Sequence, residues 1–239
     1  NLSEEIASRL FRAAPIIAVH NVGALAGATN VDIDSELGSY QITKYLIDLG
    51  HRRIAHITGA PFRSGSDDRL KGYRRALSEA GIEFDQHLVV RGYYTLYSGQ
   101  AAASELLSRF NGSAMPTAVF CASDSMACGA INVFTENGLR VPQDVSVVGF
   151  DDAQINQLAG VNLTTVRQPL SSMGVYAVTS LLKTIDESVG GPSEPRLAGN
   201  YLNKESLEVA LSAIKHVGNT VLFAPELVIR DSAAAPRPA

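Results

Sequence analysis

A chain of 239 residues with 46% apolar content and 18% charged residues is a folded globular protein, either one large domain or two of ordinary size. Its formal charge of −4 and pI near 5.7 argue against nucleic-acid binding through its own surface, since phosphate contacts need clustered Lys and Arg. No apolar run approaches the ~18 residues of a membrane span, and the acidic, amphipathic opening NLSEEIASRL is unlike a secretory signal. Cys121 and Cys128 imply no disulfide framework; they read as reduced core thiols, consistent with a cytoplasmic location.

In chain order, Ser3 begins a helix, SEEIASRLFRAA, with Glu4 and Glu5 in the first turn where they suit the dipole. Pro15 stops it, and PIIAVHN follows as a buried strand ending at His20 and Asn21. After a small-residue loop, VDI is a short strand, and Asp34 or Ser35 caps a helix that keeps apolar spacing up to Gly50. Arg53 to Thr58 is a strand. The polar loop from Gly59 to Gly65 carries Arg63, and a helix capped near Ser66 or Asp67 presents Arg69 in its first turn. HLVVRGYYTLYSG is a further strand delivering Tyr93 and Tyr94, followed by the helix SGQAAASELLSRF.

The centre of the chain is a βαβ unit. Thr117 to Ala122 is a strand buried on both faces, Ser123 or Asp124 caps a helix, Gly138 is its left-handed C-cap, and Asp144 to Phe150 runs into Asp151 and Asp152. NLTTVRQP is then a strand stopped by Pro169, and SSMGVYAVTSLLKTIDES a helix. Within 197–220 the run NKESLEVALSAIKHVG predicts one more helix, PELVIRDS is a last strand, and 233–239 reads as a frayed tail. Strands alternating with helices at this rhythm mean a parallel α/β protein.

Acids arrive at the carboxyl ends of the two central strands, the edge at which open parallel sheets bind ligands. The wider strand-end set is His20, Asn21, Arg63, Arg69, Tyr93, Tyr94, Ser123, Asp124, Asp151 and Asp152. Arginine forks and carboxylates grip vicinal hydroxyls or carboxylates, and a Tyr face stacks on a sugar or base, so the set suits a small polar ligand. The competing reading, a structural ion pair between Arg69 and one aspartate, loses ground because such groups recur at several strand ends. Catalysis fares worse. There is no G-x-S-x-G, H-E-x-x-H or C-x-x-C, no phosphate-binding glycine fingerprint, and no metal or cofactor motif. Asp151 and Asp152, adjacent on a strand end, point to opposite sides, and His51, His56, His87 and His216 are scattered.

The stretches LGHRRIAHITG, RLKGYRRAL, PTAVFCASDSMACGA, GLRVPQDVSVVGFDD, LTTVRQP and PELVIRDS, in this order, resemble the LacI/GalR family of bacterial transcription regulators over about four-fifths of the chain. The resemblance implies two Rossmann-like lobes with parallel sheets joined by three crossovers, as in periplasmic sugar-binding proteins. A small effector, a sugar, sugar acid or purine, would lie between them. It implies ligand contacts at Arg69 and Asp151, a stacking aromatic at Tyr94, and cleft-lining Arg63 and Gly65; His20 falls where many relatives have an acid, and Ser123 where many have Asn. It also implies a homodimer that meets operator DNA through a helix-turn-helix headpiece, which this sequence, starting past it and past two βα units of the first lobe, does not contain.

The expected division is a truncated first lobe from 1–50 and 162–196, a second from 51–161 and 221–232, and the tail. The segment 197–220, an interruption relative to the family, is expected to fill part of the first lobe, whose own strands would be PIIAVHN, LTTVRQP and VDI; the alternative is that further residues of that lobe precede the sequence given. The functional expectation is therefore a non-enzymatic, cytoplasmic effector-sensing core. Its rivals are a stand-alone or periplasmic sugar-binding protein and a doubly wound sugar-modifying enzyme; the latter would need a nucleophile with a base, which the sequence does not show. An interaction module is a weaker rival still, since it would leave the convergent Arg, Tyr and Asp without a purpose.

Overall fold

The computed structural model describes residues 14–20, 27–61, 63, 65–110, 115–154, 162–188 and 214–237. The predicted helix SEEIASRLFRAA, the linker at 190–195 and most of the 197–220 segment lie outside these residues. The chain forms two units, one within 1–34 and 169–224, the other from 35–168 and 225–239. It passes from one to the other at 34–35, 168–169 and 224–225.

The larger unit is built on a parallel sheet of four strands, β3 (Ile54–Thr58), β4 (Val89–Arg91), β5 (Ala118–Cys121) and β6 (Ser146–Val148), in the order β4-β3-β5-β6. β5, AVFC, is buried at every position, as a central strand covered on both faces must be. Helices α1 (Ser35–Asp48) and α2 (Ser66–Glu79) pack on each other, as do α3 (Leu96–Phe110) and α4 (Asp124–Glu136). Gly72 makes the first pairing possible: a Cβ there would sit 2.2 Å from the Glu36 carbonyl oxygen of α1. Ala102, Leu106, Met126, Ala130 and Phe134 of the second pair share one core with Ile57, Val119 and Val147 of the strands. β7 (Thr165–Arg167) and β10 (Glu226–Val228) form a separate antiparallel ladder, tied to the end of β6 by bridges from Val148 to Thr164 and Asp151 to Arg167.

The smaller unit holds β1 (Ile17–Val19), β2 (Thr29–Ile33), β8 (Ile214–Val217) and β9 (Thr220–Phe223) in the order β1-β2-β9-β8. Only β8 runs antiparallel. Helix α5 (Leu170–Ser188) packs on β1 and β2, and Val31, Met173, Ala177, Val221 and Phe223 form the core beneath it.

Four expectations need correction. Residues 35–50 belong to the larger unit rather than to the first lobe, because α1 buries its Ile42 and Leu46 there and lies against α2. Residues 162–168 go with it too, since β7 pairs with β10 and β6 rather than with β1 or β2; in exchange, 221–224 moves to the smaller unit through β9. Ile214–Val217 is a strand and not helix: a two-residue Gly218-Asn219 turn, with Gly218 at φ 60°, folds it back on β9. That strand does lie in the smaller unit's sheet; residues 197–213 are outside the described set. Finally, residues 233–237 are not frayed. The Ala234 carbonyl accepts from His51 Nε2 at 2.8 Å and Ser146 Oγ at 3.1 Å, and Arg237 pairs with Asp144 at 2.8 Å. In a smaller departure, the strand expected to carry Tyr93 and Tyr94 stops at Arg91, and α3 begins at Leu96.

Candidate functional site

The carboxyl ends of β3, β5 and β6 open on the face to which α2 delivers Arg69. Helix α2 starts after Gly65, whose φ of 74° suits a glycine, and whose missing side chain leaves room for Ser35 Oγ, 2.6 Å from where its Cβ would be. Arg69 is 3% exposed. Its guanidinium lies 3.8 Å over the Phe150 ring and 5.7 Å from the Tyr94 ring centroid, and one terminal nitrogen donates to the Ala122 carbonyl. The other stands 3.9 Å from Asp151 Oδ1, an ion pair too long for a hydrogen bond. Gln168 Nε2 donates to the same carboxylate oxygen at 2.6 Å.

Around this pair several buried polar atoms have no hydrogen-bond partner among the described residues: Arg69 Nε, Tyr94 Oη, Gln168 Oε1 and Ser35 Oγ. Leaving such a group unmatched costs about 1–3 kcal/mol, so native folds keep few of them. Of the seven such side-chain atoms among the described residues, these four gather in one neighbourhood; Gln41 Oε1, Thr43 Oγ1 and His56 Nε2 are the others. Of the strained backbone positions, Tyr94 and Asp151 belong to this neighbourhood. The non-glycine residues with positive φ among those described are His20 (55°), Tyr94 (63°), Asp151 (125°) and Asp152 (55°), all just beyond strand ends. Non-glycine residues in such regions cost on the order of 1–3 kcal/mol and cluster at binding sites.

Of the residues singled out from the sequence, Arg69, Asp151 and Tyr94 come together. Gly65 borders them, its ideal Cβ position lying 3.7 Å from Arg69 Nε. Arg63 is exposed on the preceding loop, and its carbonyl accepts from Ser66 N. Ser123 is buried as the N-cap of α4, its Oγ accepting from Met126 N at 3.3 Å. Two of the acids turn out to brace the fold. Asp124 accepts from Thr165 Oγ1 at 2.6 Å and Ala153 N at 2.7 Å. Asp152 turns away from Asp151 and pairs with Arg167 at 2.7 Å and Arg230 at 2.6 Å. Burial would raise its pKa, but the hydrogen bonds from Arg230 and Arg167 outweigh it and hold the carboxyl below its ordinary value.

His20 belongs to the smaller unit, at the end of β1, where its Nδ1 lies 2.9 Å from Asp32 Oδ1. Sequence reasoning missed Gln168, Phe150 and Ser35. Gln168 alone carried a signal, as the last residue of a strand before Pro169. A cavity of about 240 Å³ on the larger unit is lined by Thr58, Gly59, Ser66, Leu70 and Arg91, among others, but by none of Arg69, Asp151 or Tyr94. The unmatched atoms and strained backbone, not that hollow, mark the site.

The surrounding groups are poorly suited to covalent chemistry. Burial pushes the Cys128 thiol up to about 11 and Cys121 higher still, so neither is a ready thiolate. His56 is wholly buried, stacked on Phe120 with its Nδ1 against the Phe120 carbonyl. Among the described residues no helix is long and apolar enough to cross a membrane.

Residues 43–207 match the periplasmic binding protein-like domain family. The chain is 42% identical over 152 residues to the ribose operon repressor of Haemophilus influenzae, an alignment covering 64% of this chain and 45% of that one. Among solved structures it resembles a LacI transcriptional regulator from a Rhodococcus species at TM-score 0.76 and 26% identity, covering 99% of this chain and 76% of that one. It also resembles the transcriptional regulator CelR in complex with cellobiose, at TM-score 0.70 and 31% identity, covering 97% and 71%. The chain spans about half the length of the curated relatives it matches. Parallel α/β units, acids and an arginine at the strand ends, and these likenesses agree: the chain belongs to the periplasmic binding protein-like family, as an effector-binding core of the LacI type.

Proposed function

We propose that this chain senses a small hydroxylated metabolite for a LacI-type transcription regulator, taking it up where Arg69, Asp151 and Tyr94 meet. The observation that carries the reading is a buried guanidinium 3.9 Å from a carboxylate, with its Nε and three neighbouring polar atoms unmatched. Ligand hydroxyls satisfy such atoms, with Arg69 donating, Asp151 accepting and Tyr94 offering its ring. Arg63, Gly65 and Ser123 complete the face on this unit. The cellobiose held by CelR supports a sugar; sugar acids and purines are the other classes to test.

The role is binding and not catalysis, since the cysteines are buried and protonated and Ser123 is spent on a helix cap. Signalling follows from a ligand that prefers one of two states of the protein. The regulator works in the cytoplasm as a homodimer and reaches operator DNA through a separate headpiece. A thermal-shift screen with sugars, sugar acids and purines tests the reading. A ligand at about 100 times its Kd adds roughly 2.7 kcal/mol, a rise of about 5–10 °C for a protein of this size. Arg69→Ala and Asp151→Asn, checked for folding by circular dichroism, abolish the shift. A hit whose shift survives both substitutions overturns the assignment.

A further inference from the structure

The hollow beside β4 lies at the other edge of the larger sheet from Asp151. In the order β4-β3-β5-β6, two strands separate β4 from β6, which runs on into Asp151. Val89 and Arg91, two apart on β4, point to one face of the sheet. Over that face α2 brings Ser66, Asp67 and Leu70 from its first turns, and a single 3₁₀ turn, Gln86–Leu88, leads into β4 and adds Gln86. The space between them is about 240 Å³.

Its polar groups are left without mates. Arg91 and Asp67 are exposed and of opposite sign, yet neither side chain has an ion pair or hydrogen bond with a described residue, nor do they meet each other. Elsewhere on this unit exposed charges commonly pair, as in Lys71–Asp68, Arg75–Glu36 and Arg140–Asp144. Ser66 is 5% exposed, and its hydroxyl neither caps α2, whose N-cap is Gly65, nor bonds to another described residue. The Asp67 amide, in the first turn, likewise donates to no described residue. A buried hydroxyl and two unpaired charges of opposite sign around one hollow call for a polar occupant.

We infer that this hollow is a second ligand site, taking a free α-amino acid with a small side chain. The ligand carboxylate lies on the Arg91 guanidinium and the Ser66 hydroxyl, its ammonium on the Asp67 carboxylate, and its side chain against Leu70 and Val89. Charge decides among the small classes. A phosphate or simple carboxylate would meet Asp67 as well as Arg91, and a plain amine would meet Arg91 as well as Asp67. A neutral sugar would leave both charges unmatched, whereas a zwitterion gives each its mate. Size agrees: the space equals about eight water molecules' share of liquid, below the roughly 300–1,000 Å³ of sites for drug-sized ligands. The site goes beyond the sensing of a hydroxylated metabolite and does not rest on it. Because α2 carries Arg69 between Asp67 and Leu70, the two occupants would share one helical turn.

Two-dimensional ¹⁵N–¹H spectra of the whole chain, titrated with L-alanine and L-serine, test this, with acetate and L-alaninamide as probes that hold one charge each. At millimolar L-alanine or L-serine the amides of Ser66, Asp67, Leu70 and Val89 move and saturate. Acetate and L-alaninamide bind at least tenfold more weakly, and Arg91→Gln and Asp67→Asn each lose at least tenfold for L-alanine, the scale of one charged contact. Both positions are exposed, so the variants keep the wild-type spectrum away from the hollow. Absence of movement, movement centred on Tyr94 and Asp151, equal affinity for acetate or L-alaninamide, or full affinity in either variant overturns the inference. Each of these results leaves the sugar screen at Arg69 and Asp151 to be judged on its own outcome.

Discussion

His56 shows how far a single side chain can be forced from its ordinary chemistry. It stands mid-strand in β3, 0% exposed, stacked between Tyr73 and Phe120, with Nδ1 donating to the Phe120 carbonyl at 2.9 Å and Nε2 unmatched. Burial disfavours the charged ring most, and the Arg69 guanidinium adds to this, so the pKa falls to about 4 despite the carbonyl's opposing pull. The unfolded chain binds a proton near pH 6.5 and the folded one only near 4. Stability is thus full above about pH 6.5 and declines as pH falls through that window, by about 3 kcal/mol at its lower end. His51, whose pKa burial also lowers, adds a loss of the same sign. Urea denaturation at about pH 7 and pH 5 checks this: wild type loses about 2 kcal/mol from His56 alone, and His56→Gln, whatever its stability at pH 7, shows a correspondingly shallower loss. Equal losses in both proteins would remove His56 as the cause. The sequence could not distinguish this histidine from a surface one, because its burial depends on Tyr73 and Phe120, 17 and 64 positions away. Arg69 and Asp151 were legible, since each stands in a long distinctive run. Gln168, Phe150 and Ser35 were not, because their part in the site comes from neighbours brought in by folding.

At the scale of elements, helix contacts here are set by where glycines let backbones close in. The missing Cβ of Gly72 would lie 2.2 Å from the Glu36 carbonyl oxygen and 2.8 Å from Tyr40 N, both backbone atoms that cannot swing aside. Gly174, in α5, has nothing among the described residues within 4 Å of its Cβ position. One substitution should therefore act in opposite directions at the two places. Gly72→Ala pushes α1 off α2 at a cost of about 1–3 kcal/mol, larger than the gain in helix propensity of up to about 1 kcal/mol. Gly174→Ala keeps that gain. Thermal melts should show a fall of about 2–8 °C for the first and a rise of up to about 4 °C for the second. A rise at Gly72 would mean that the helices do not approach this closely. The elements that the sequence misjudged fail for a related reason. Ile214–Val217 has apolar residues at helical spacing, yet the Gly218-Asn219 turn and the waiting edge of β9 make a strand of it. The terminal residues look frayed by composition, but Ala234 N donates to Ser146 Oγ at 3.0 Å and its carbonyl accepts from His51 Nε2 at 2.8 Å. Alternation of strand and helix is a local property and was read correctly; pairing partners are not local.

For the whole molecule, the sequence predicted two α/β lobes but placed the first boundary too late, at 50 rather than 34, because a helix after a strand was assigned to that strand's sheet, and the other two too early, at 161 and 220 rather than 168 and 224. Contacts decide otherwise: α1 follows β2 in sequence and buries its apolar face with α2 instead. Among the described residues the two units differ in how much apolar surface holds them. Among the described residues the larger has a continuous core running from Ala55 to Leu163, including Val119, Met126, Phe134 and Val147, all fully buried. The smaller is organised on Val31, Met173, Ala177, Val221 and Phe223, and its β8 edge is half-exposed at Val217. Each buried Val, Leu or Phe side chain contributes roughly 1.5–3 kcal/mol, so opening the smaller sheet costs far less than opening the larger. Hydrogen exchange should accordingly show amides of β2 and β9 exchanging well before those of β3 and β5, at free energies below that of global unfolding. Sugar bound at Arg69 and Asp151 should slow exchange in the larger unit around β6 and β7 first. Amides of β2 and β9 exchanging as slowly as those of β5 without ligand would mean that the two units unfold as one.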